Sequence, residues 1–212
     1  MLPHEGQPVV EAGVPLKEAR AVVIMVHGRN AAPANVLDLA RRFERANLTY
    51  LAPPAANRTW YPHSFMADLA NNEPGVSSGL EVLRTLVERV ETAGVPRSRI
   101  VLAGFSQGAC LVSEFAVRHA SRFGGILVFS GGAIGPAGTT WDVGGHFEDT
   151  PVFLGCSDND AHVPEVRVRE TAGVFTRLGA DVTLRIYPDM GHLVNDDEIA
   201  CAQQILDHAL PS

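Results

Sequence analysis

Residues 100–109 read IVLAGFSQGA and contain the pattern of a strand, a glycine-rich turn and the start of a helix. The first four residues have the length and β-branched content of a buried strand, and residues 107–120 have the pattern of a helix. Between them stands the pattern G-x-S-x-G, which forms a nucleophile elbow when it joins a strand to a helix. The flanking glycines then allow a tight turn that exposes the serine oxygen. An ordinary glycine-rich turn is the alternative, and the flanking elements favour the elbow.

Short apolar runs alternate with longer amphipathic stretches along the rest of the chain. Strands are predicted at 22–27, 49–52, 99–104, 126–130, 152–155 and 182–187, with an edge strand near 8–11. Helices are predicted at 34–46, 77–93, 107–120, 165–178 and 196–209, the last with Asn195 as its N-cap. This alternation predicts an α/β fold: a three-layer α/β/α sandwich in which helices cover both faces of a mainly parallel sheet.

Polar residues collect directly after the predicted strands. They lie at 27–30, 106, 130–132, 158–160 and 192. Because sites in parallel sheets form at the carboxyl ends of the strands, we expect these residues to build one site. Two long connections, 53–75 and 131–150, are predicted to cover or line it.

Length, composition and charge bound the class of protein. The chain has 212 residues, 46% of them apolar, and no linker or repeat divides it, so we expect one globular domain over 1–212 with a substantial core. This composition excludes a mainly disordered chain. Seventeen Lys and Arg against 24 Asp and Glu give a net charge of −7, which argues against a nucleic-acid partner.

The sequence also bears on the cellular compartment. The longest apolar run, 21–26, is too short to span a bilayer, and the first residues lack the features of a signal peptide. Cys110, Cys156 and Cys201 are an odd number at wide spacing, which is typical of reduced thiols. We therefore predict a soluble, cytoplasmic protein without a membrane span.

The predicted nucleophile Ser106 needs a base in hydrogen-bond reach, and the base needs an acid to hold it. In this type of fold the chain order is serine, acid, histidine. His192 lies in a loop between the last strand and the last helix, where it can reach the elbow. His119 and His208 fall inside predicted helices, and His162 lies in the loop expected to carry the acid. We therefore predict His192 as the base.

The acid is expected in the loop that follows the strand 152–155. Asp158 and Asp160 are both available there. Either carboxylate could instead cap the next helix or form a turn, which are common uses of Asp. Position along the chain leaves the choice between the two open.

Several segments together resemble the phospholipase/carboxylesterase family of α/β-hydrolases, which includes small bacterial carboxylesterases and acyl-protein thioesterases. These segments are Val26-His27-Gly28, Thr59-Trp60-Tyr61, residues 100–108, Asp160-Ala161-His162-Val163-Pro164 and Gly191-His192. The resemblance implies an α/β-hydrolase fold without a cap domain. In this family an Asp-x-x-Val-Pro motif supplies the acid, which implies the triad Ser106, Asp160 and His192.

The resemblance also implies an oxyanion hole made of backbone N–H groups. One donor is the amide of Gln107, and the other is the amide of Arg29, which follows His27-Gly28. Relatives often have a small or apolar residue where Arg29 stands, and an acidic residue after the Trp-Tyr pair, where this chain has Pro62-His63. We therefore expect the pocket of this chain to differ from theirs.

Aromatic side chains in the connection 53–75 are candidates for the pocket wall. Trp60, Tyr61 and Phe65 are predicted to bind substrate, with packing onto the core as the alternative. Residues 146–149 and His162 offer metal-ligand types without the paired spacing of a metal site. We predict no metal and no cofactor.

These features predict a serine carboxylesterase that hydrolyses esters with short to medium acyl chains through an acyl-enzyme. The alternatives are an acyl-protein thioesterase or lysophospholipase with the same triad and, less favoured, a non-catalytic binding protein of the same fold. An enzyme resembling dienelactone hydrolases would have a cysteine where Ser106 stands. The predicted partner is a small-molecule ester, with a homodimer kept as one option for the assembly.

Overall fold

The computed structural model of the chain describes residues 2–210, and a seven-stranded sheet lies at its centre. The strands are β1 Val10–Gly13, β2 Ala21–Val26, β3 Leu48–Ala52, β4 Ile100–Phe105, β5 Gly125–Phe129, β6 Pro151–Ser157 and β7 Asp181–Tyr187. Their order in the sheet is β1-β3-β2-β4-β5-β6-β7. β1 pairs antiparallel with β3, and every other neighbouring pair is parallel.

Helices cover both faces of this sheet. They are α1 Pro33–Ala40, α2 Leu69–Asn72, α3 Gly75–Thr92, α4 Gln107–Arg118, α5 Glu165–Arg177 and α6 Asp196–Ala209. Alternate residues of β2 point to opposite faces, so Ile24 belongs to the core on the face covered by α3, α4 and α5, whereas Val23 belongs to the core on the face covered by α1 and α6. Because both faces are covered, β2 is buried along its whole length. The predicted three-layer sandwich with a mainly parallel sheet is confirmed.

The predicted helix 34–46 is shorter in the structure. α1 ends at Ala40, and the chain continues as a 3₁₀ turn over Arg41–Phe43. This tighter turn brings Phe43 into the core, where its ring lies 6.3 Å from the ring of Phe129. Helical periodicity in a sequence does not distinguish a last α-turn from a 3₁₀ turn, which explains the difference.

The last helix begins where the sequence predicts it. The Asn195 side chain accepts a hydrogen bond from the Glu198 amide at 2.9 Å, and the Asn195 amide donates to Glu198 Oε2 at 2.8 Å. This reciprocal capping box fixes the start of α6 directly after the loop that carries His192.

The connection 131–150 is held down by Arg167, a fully buried residue of α5. Its guanidinium donates to the backbone oxygens of Ala133, Gly135 and Pro136 at 2.7–3.0 Å. The Gly135 amide donates in turn to the Phe65 oxygen at 2.8 Å. The two long connections are therefore tied to one another and to α5.

The length of the helices and the burial of the cysteines can be compared with the sequence predictions. In residues 2–210, no helix is both long enough and apolar enough to cross a bilayer. The three cysteines carry free thiols, and burial raises the pKa of Cys110 and of Cys156 to about 12. These two buried thiols therefore stay protonated and unreactive at neutral pH.

Candidate active site

Ser106 stands in the sharp turn between β4 and α4. Its backbone has φ 55° and ψ −123°, a left-handed conformation that is strained for a residue with a side chain. Both neighbouring glycines are required by close packing. A Cβ on Gly108 would lie 2.1 Å from the oxygen of Val26, and one on Gly104 would lie 2.5 Å from Gly108 itself. The turn therefore holds the hydroxyl of Ser106 at the carboxyl end of the sheet.

A continuous chain of hydrogen bonds runs from Ser106 through His192 to Asp160. His192 Nε2 lies 2.8 Å from Ser106 Oγ, and His192 Nδ1 lies 2.6 Å from Asp160 Oδ2. The imidazole is 20% exposed, whereas the Asp160 side chain is fully buried. The three side chains named from the sequence thus lie together, as base and acid beside a nucleophile require.

The environment of Asp160 favours its ionised form. Burial pushes its pKa upward, but hydrogen bonds from His192 and from the backbone amides of His162 and Val163 outweigh burial and lower the pKa below its ordinary value. Those amides contact Asp160 Oδ1 at 2.8 and 3.1 Å, while Oδ2 faces the imidazole. The carboxylate is therefore charged and oriented where it can stabilise an imidazolium.

Asp158, the alternative that the sequence left open, makes different contacts. Its Oδ1 accepts a hydrogen bond from the Asp189 amide at 3.0 Å. Asn159 Nδ2 donates to the Asp189 carboxylate at 2.9 Å, and the Gly191 amide donates to Ser157 Oγ at 3.1 Å. Asp158 therefore helps to fix the loop that carries His192, and Asp160 is the carboxylate that contacts the imidazole.

The two backbone amides expected to form an oxyanion hole flank Ser106. Gly28 packs against it so closely that a Cβ on Gly28 would lie 3.3 Å from Ser106 Cβ, and Arg29 is the next residue. Gln107 is the first residue of α4, where amides point out of the helix N-terminus and favour negative charge. Across residues 2–210, neither the Arg29 nor the Gln107 amide donates a hydrogen bond to a protein acceptor. Both amides therefore remain available as donors.

An open cleft of about 630 Å³ lies beside Ser106. Its lining comes from the turn after β2, from the connection 53–75 and from the loop after β6, together with Phe105 and Cys110. Tyr61 and Phe65 line it, as the sequence predicts for a pocket wall. The cleft has the size of a small-molecule site.

A profile of the phospholipase/carboxylesterase family matches residues 6–210. The chain belongs to this family. It is an ester hydrolase with an α/β-hydrolase fold, and the resemblance predicted from its motifs is confirmed.

Proteins similar to this chain over nearly its whole length include acyl-protein thioesterases and carboxylesterases. Acyl-protein thioesterase 1 of Emericella nidulans is 26% identical over 93% of this chain and 93% of its own length. That of Debaryomyces hansenii is 24% identical, over 96% and 97%. A solved phospholipase/carboxylesterase of Dyadobacter fermentans is 37% identical, with a TM-score of 0.92 over 97% of this chain and 99% of its own. The Bacillus cereus carboxylesterase, at 18% identity, shares the fold, with a TM-score of 0.74 over 97% and 96%.

In this member of the phospholipase/carboxylesterase family, Trp60 is not among the residues that line the cleft. The prediction that it binds substrate therefore differs from the structure. The residue is fully buried, and its indole Nε1 donates to the backbone oxygen of His27 at 2.9 Å. A buried indole needs such an acceptor, and this one lies behind the site. Trp60 therefore supports the turn before Arg29.

The Gln107 side chain makes two contacts with the connection 53–75 that the sequence did not predict. Its Oε1 accepts a hydrogen bond from the Trp60 amide at 2.9 Å, and its Nε2 donates to the Tyr61 oxygen at 2.8 Å. The signal was present, because a long amide side chain follows Ser106 directly. Only the fold shows that it ties the elbow to the wall of the cleft.

The side chains that offer metal-ligand types, among them His146 and His162, lie apart and make other contacts. Across residues 2–210, no three His, Cys, Asp or Glu side chains come close enough to hold an ion. His146 Nδ1 accepts a hydrogen bond from the Glu148 amide at 3.0 Å, which stabilises the local turn. His162 lies instead in the cleft wall, its ring 4.8 Å from that of His192.

Proposed function

We propose that the protein is a serine carboxylesterase in which Ser106 is the nucleophile, His192 the general base and Asp160 the acid. The observation that carries the proposal is the hydrogen-bond chain of 2.8 and 2.6 Å through His192, whose members Ser106 and His192 line an open cleft. A serine hydroxyl becomes a useful nucleophile when a positioned imidazole takes its proton.

The reaction follows from these positions. Ser106 Oγ attacks the ester carbonyl carbon while its proton passes to His192 Nε2, and Asp160 stabilises the resulting imidazolium. The tetrahedral intermediate collapses, the imidazolium gives its proton to the leaving alcohol, and an acyl-enzyme remains. Water then attacks the acyl carbon with His192 as base, which releases the acid and restores Ser106.

Negative charge develops on the carbonyl oxygen in both steps. The backbone amides of Arg29 and Gln107 are the proposed donors to it, because they flank Ser106 and have no protein acceptor among the residues described. The position of the Gln107 amide at the N-terminus of α4 adds the favourable field of the helix.

The shape of the cleft supports short to medium acyl chains. About 630 Å³ is open to the surface, and Tyr61, Phe65 and Val163 supply apolar wall. The connections 53–75 and 131–150 contain only short turns and the four-residue α2, so no large lid encloses a long lipid chain. The cleft therefore fits a small ester.

A panel of 4-nitrophenyl esters of increasing acyl length tests this proposal, with Ser106→Ala beside the wild type. We expect turnover to peak at short or medium chains and to fall by at least about 10³-fold in Ser106→Ala. Ser98→Ala, which removes an exposed hydroxyl remote from the cleft, is the matched control and retains activity. Equal turnover by Ser106→Ala and Ser98→Ala would overturn the proposal.

Thioester hydrolysis is the second candidate, favoured by the relatives named acyl-protein thioesterase 1. It uses the same triad, and lysophospholipid hydrolysis would do so as well. Paired oxyesters and thioesters of equal acyl length, with a lysophospholipid as a third substrate, separate the three activities. A kcat/KM for the oxyester above that for the thioester supports the carboxylesterase, and the reverse order supports the thioesterase.

A further inference from the structure

The cleft beside Ser106 is lined by basic and neutral side chains. The basic ones are Arg29, His63, His162 and His192, and no Asp or Glu is among its lining residues. The chain as a whole carries a net charge of −7, so carboxylates are abundant elsewhere. The nearby carboxylate of Asp160 contacts His192 and is fully buried, so it does not form part of the cleft wall. A wall without carboxylates on an acidic protein suits a negatively charged group.

Arg29 is positioned by uncharged partners. Its Nη1 donates to the Pro62 oxygen at 2.8 Å and its Nη2 to the His63 oxygen at 2.6 Å, with the guanidinium 5.9 Å from the centre of the Tyr61 ring. Within residues 2–210 it forms no ion pair with a carboxylate. Two carbonyls therefore orient the guanidinium without neutralising it, and N–H donors remain.

Arg58 contacts the turn after β2 that contains Arg29. Its Nε contacts the Ala31 oxygen at 3.3 Å, and its backbone oxygen accepts from the Asn30 amide at 2.8 Å. Among the residues described, Arg58 also makes no ion pair, whereas exposed arginines elsewhere do, such as Arg45 with Asp207 at 2.6 Å. Two positive charges thus flank the turn that follows β2.

We infer that the ester hydrolysed at Ser106 carries a carboxylate, and that Arg29 is the residue that selects it. The inference rests on the proposed esterase function. Gly28 contacts Ser106 and Arg29 follows, so the guanidinium extends along the wall from a point next to the reacting carbonyl. A planar guanidinium recognises a carboxylate through paired, charge-assisted hydrogen bonds, and its loss selectively weakens binding of the anionic ester.

The experiment compares esters that differ only by a terminal carboxylate or carboxamide. In one arm the group is on the acyl side, with the mono-4-nitrophenyl ester of adipate and its terminal amide. In the other arm it is on the alcohol side, with butyrate esters of 4-hydroxybenzoate and 4-hydroxybenzamide. The measured quantity is the ratio of kcat/KM for the anionic ester to that for its neutral partner. The arm with the larger ratio shows which side of the ester faces Arg29.

We expect a ratio of about tenfold or more in one arm of the wild type, falling to about one in Arg29→Met. Arg29→Lys should give an intermediate ratio, because its ammonium keeps the charge and loses the paired hydrogen bonds. Salt should reduce the wild-type ratio, because part of the attraction is screened. Arg20→Met, which removes an exposed charge remote from the cleft, should leave the ratio unchanged.

Two outcomes overturn the inference while leaving the esterase intact. One is a Ser106-dependent activity with ratios of one or below in both arms. The other is a high wild-type ratio that Arg29→Met retains. If Arg29→Met loses folded structure by circular dichroism, the Arg29→Lys ratio and the salt dependence of the wild-type ratio are used instead. A lower ratio in Arg29→Lys and a wild-type ratio that falls with salt support the inference. A ratio that neither the substitution nor salt changes overturns it. Hydrolysis that persists in Ser106→Ala contradicts the proposed function instead, so the two failures are distinct.

Discussion

Gln107 Oε1 accepts a hydrogen bond from the backbone amide of Trp60 at 2.9 Å. The residue after the proposed nucleophile is thereby joined to the connection 53–75, and its Nε2 makes a second bond to the Tyr61 oxygen at 2.8 Å. The elbow and one wall of the cleft therefore act as one unit. The sequence motif alone shows only a glutamine between a serine and a glycine.

Replacing Gln107 tests this link. Gln107→Met keeps most of the volume and removes both hydrogen bonds, which leaves two buried backbone groups without a partner. We expect the free energy of unfolding to fall by about 2–4 kcal/mol and kcat/KM to fall about tenfold or more. Urea unfolding and ester kinetics measure the two effects. The exposed Gln204→Met is the control, and equal effects of both substitutions would contradict the link.

Removing the buried guanidinium of Arg167 is expected to destabilise the connection 131–150. Arg167→Met leaves the oxygens of Ala133, Gly135 and Pro136 without their donor, at a cost of about 3–5 kcal/mol in unfolding free energy. Arg169→Met, on the same helix, removes only an exposed ion pair and should cost less than about 1 kcal/mol. Similar denaturant midpoints for the two variants would show that Arg167 does not anchor this connection.

Acid should lower the free energy of unfolding through His4, a buried residue that contacts the connection 53–75. Burial lowers its pKa below the ordinary 6.5, outweighing hydrogen bonds to backbone groups that favour the charged form, and its Nδ1 accepts from the Ala56 amide at 3.1 Å. A histidine kept neutral in the folded state takes up its proton on unfolding, so stability is lost as pH falls through about 6.5.

The expected slope is at most about 1.4 kcal/mol per pH unit for this one proton. His4→Gln should flatten the decrease in unfolding free energy between about pH 7 and pH 5, relative to the wild type. Ser98→Ala, which changes no titratable group and lies at an exposed position, is the control and should leave the slope unchanged. Parallel curves for wild type and His4→Gln would exclude this role for His4.

Glu198 should act in the opposite direction. Burial raises its pKa from 4.5 to about 7, with the charge of Asp197 adding to the rise and the Asn195 amide and Arg42 opposing it. A carboxyl group whose folded pKa is raised costs stability as pH increases from about 4.5 to about 7. Glu198→Gln should therefore gain up to about 3 kcal/mol over the wild type across this range. A stability difference that does not vary with pH would contradict the buried, protonated state.

The layers and elements of the fold followed from the sequence because their signals are local. The apolar run of β4 and the Asn-x-x-Glu start of α6 each carry their own evidence in a few neighbouring residues. The 3₁₀ turn at Phe43 did not follow, because it depends on a distant contact with Phe129. Trp60 was misplaced for the same reason, since its acceptor on His27 lies on another strand end.

Some residues of the candidate site were likewise predictable from local motifs, and others were not. Motifs placed Ser106 and His192 at strand ends, where the parallel sheet brings them together. The choice between Asp158 and Asp160 needed a family resemblance, because both carboxylates occupy equivalent positions along the chain. The anchoring by Arg167 and Gln107 had no sequence signal of comparable strength, because each joins segments far apart in sequence.

Covalent labelling with a fluorophosphonate, followed by peptide mass spectrometry, tests directly whether Ser106 is the nucleophile. We expect one adduct per chain, located on Ser106, with labelling abolished in Ser106→Ala and slowed by orders of magnitude in His192→Ala. Labelling of Ser106→Ala at an unchanged rate, or an adduct located on another residue, would contradict this assignment.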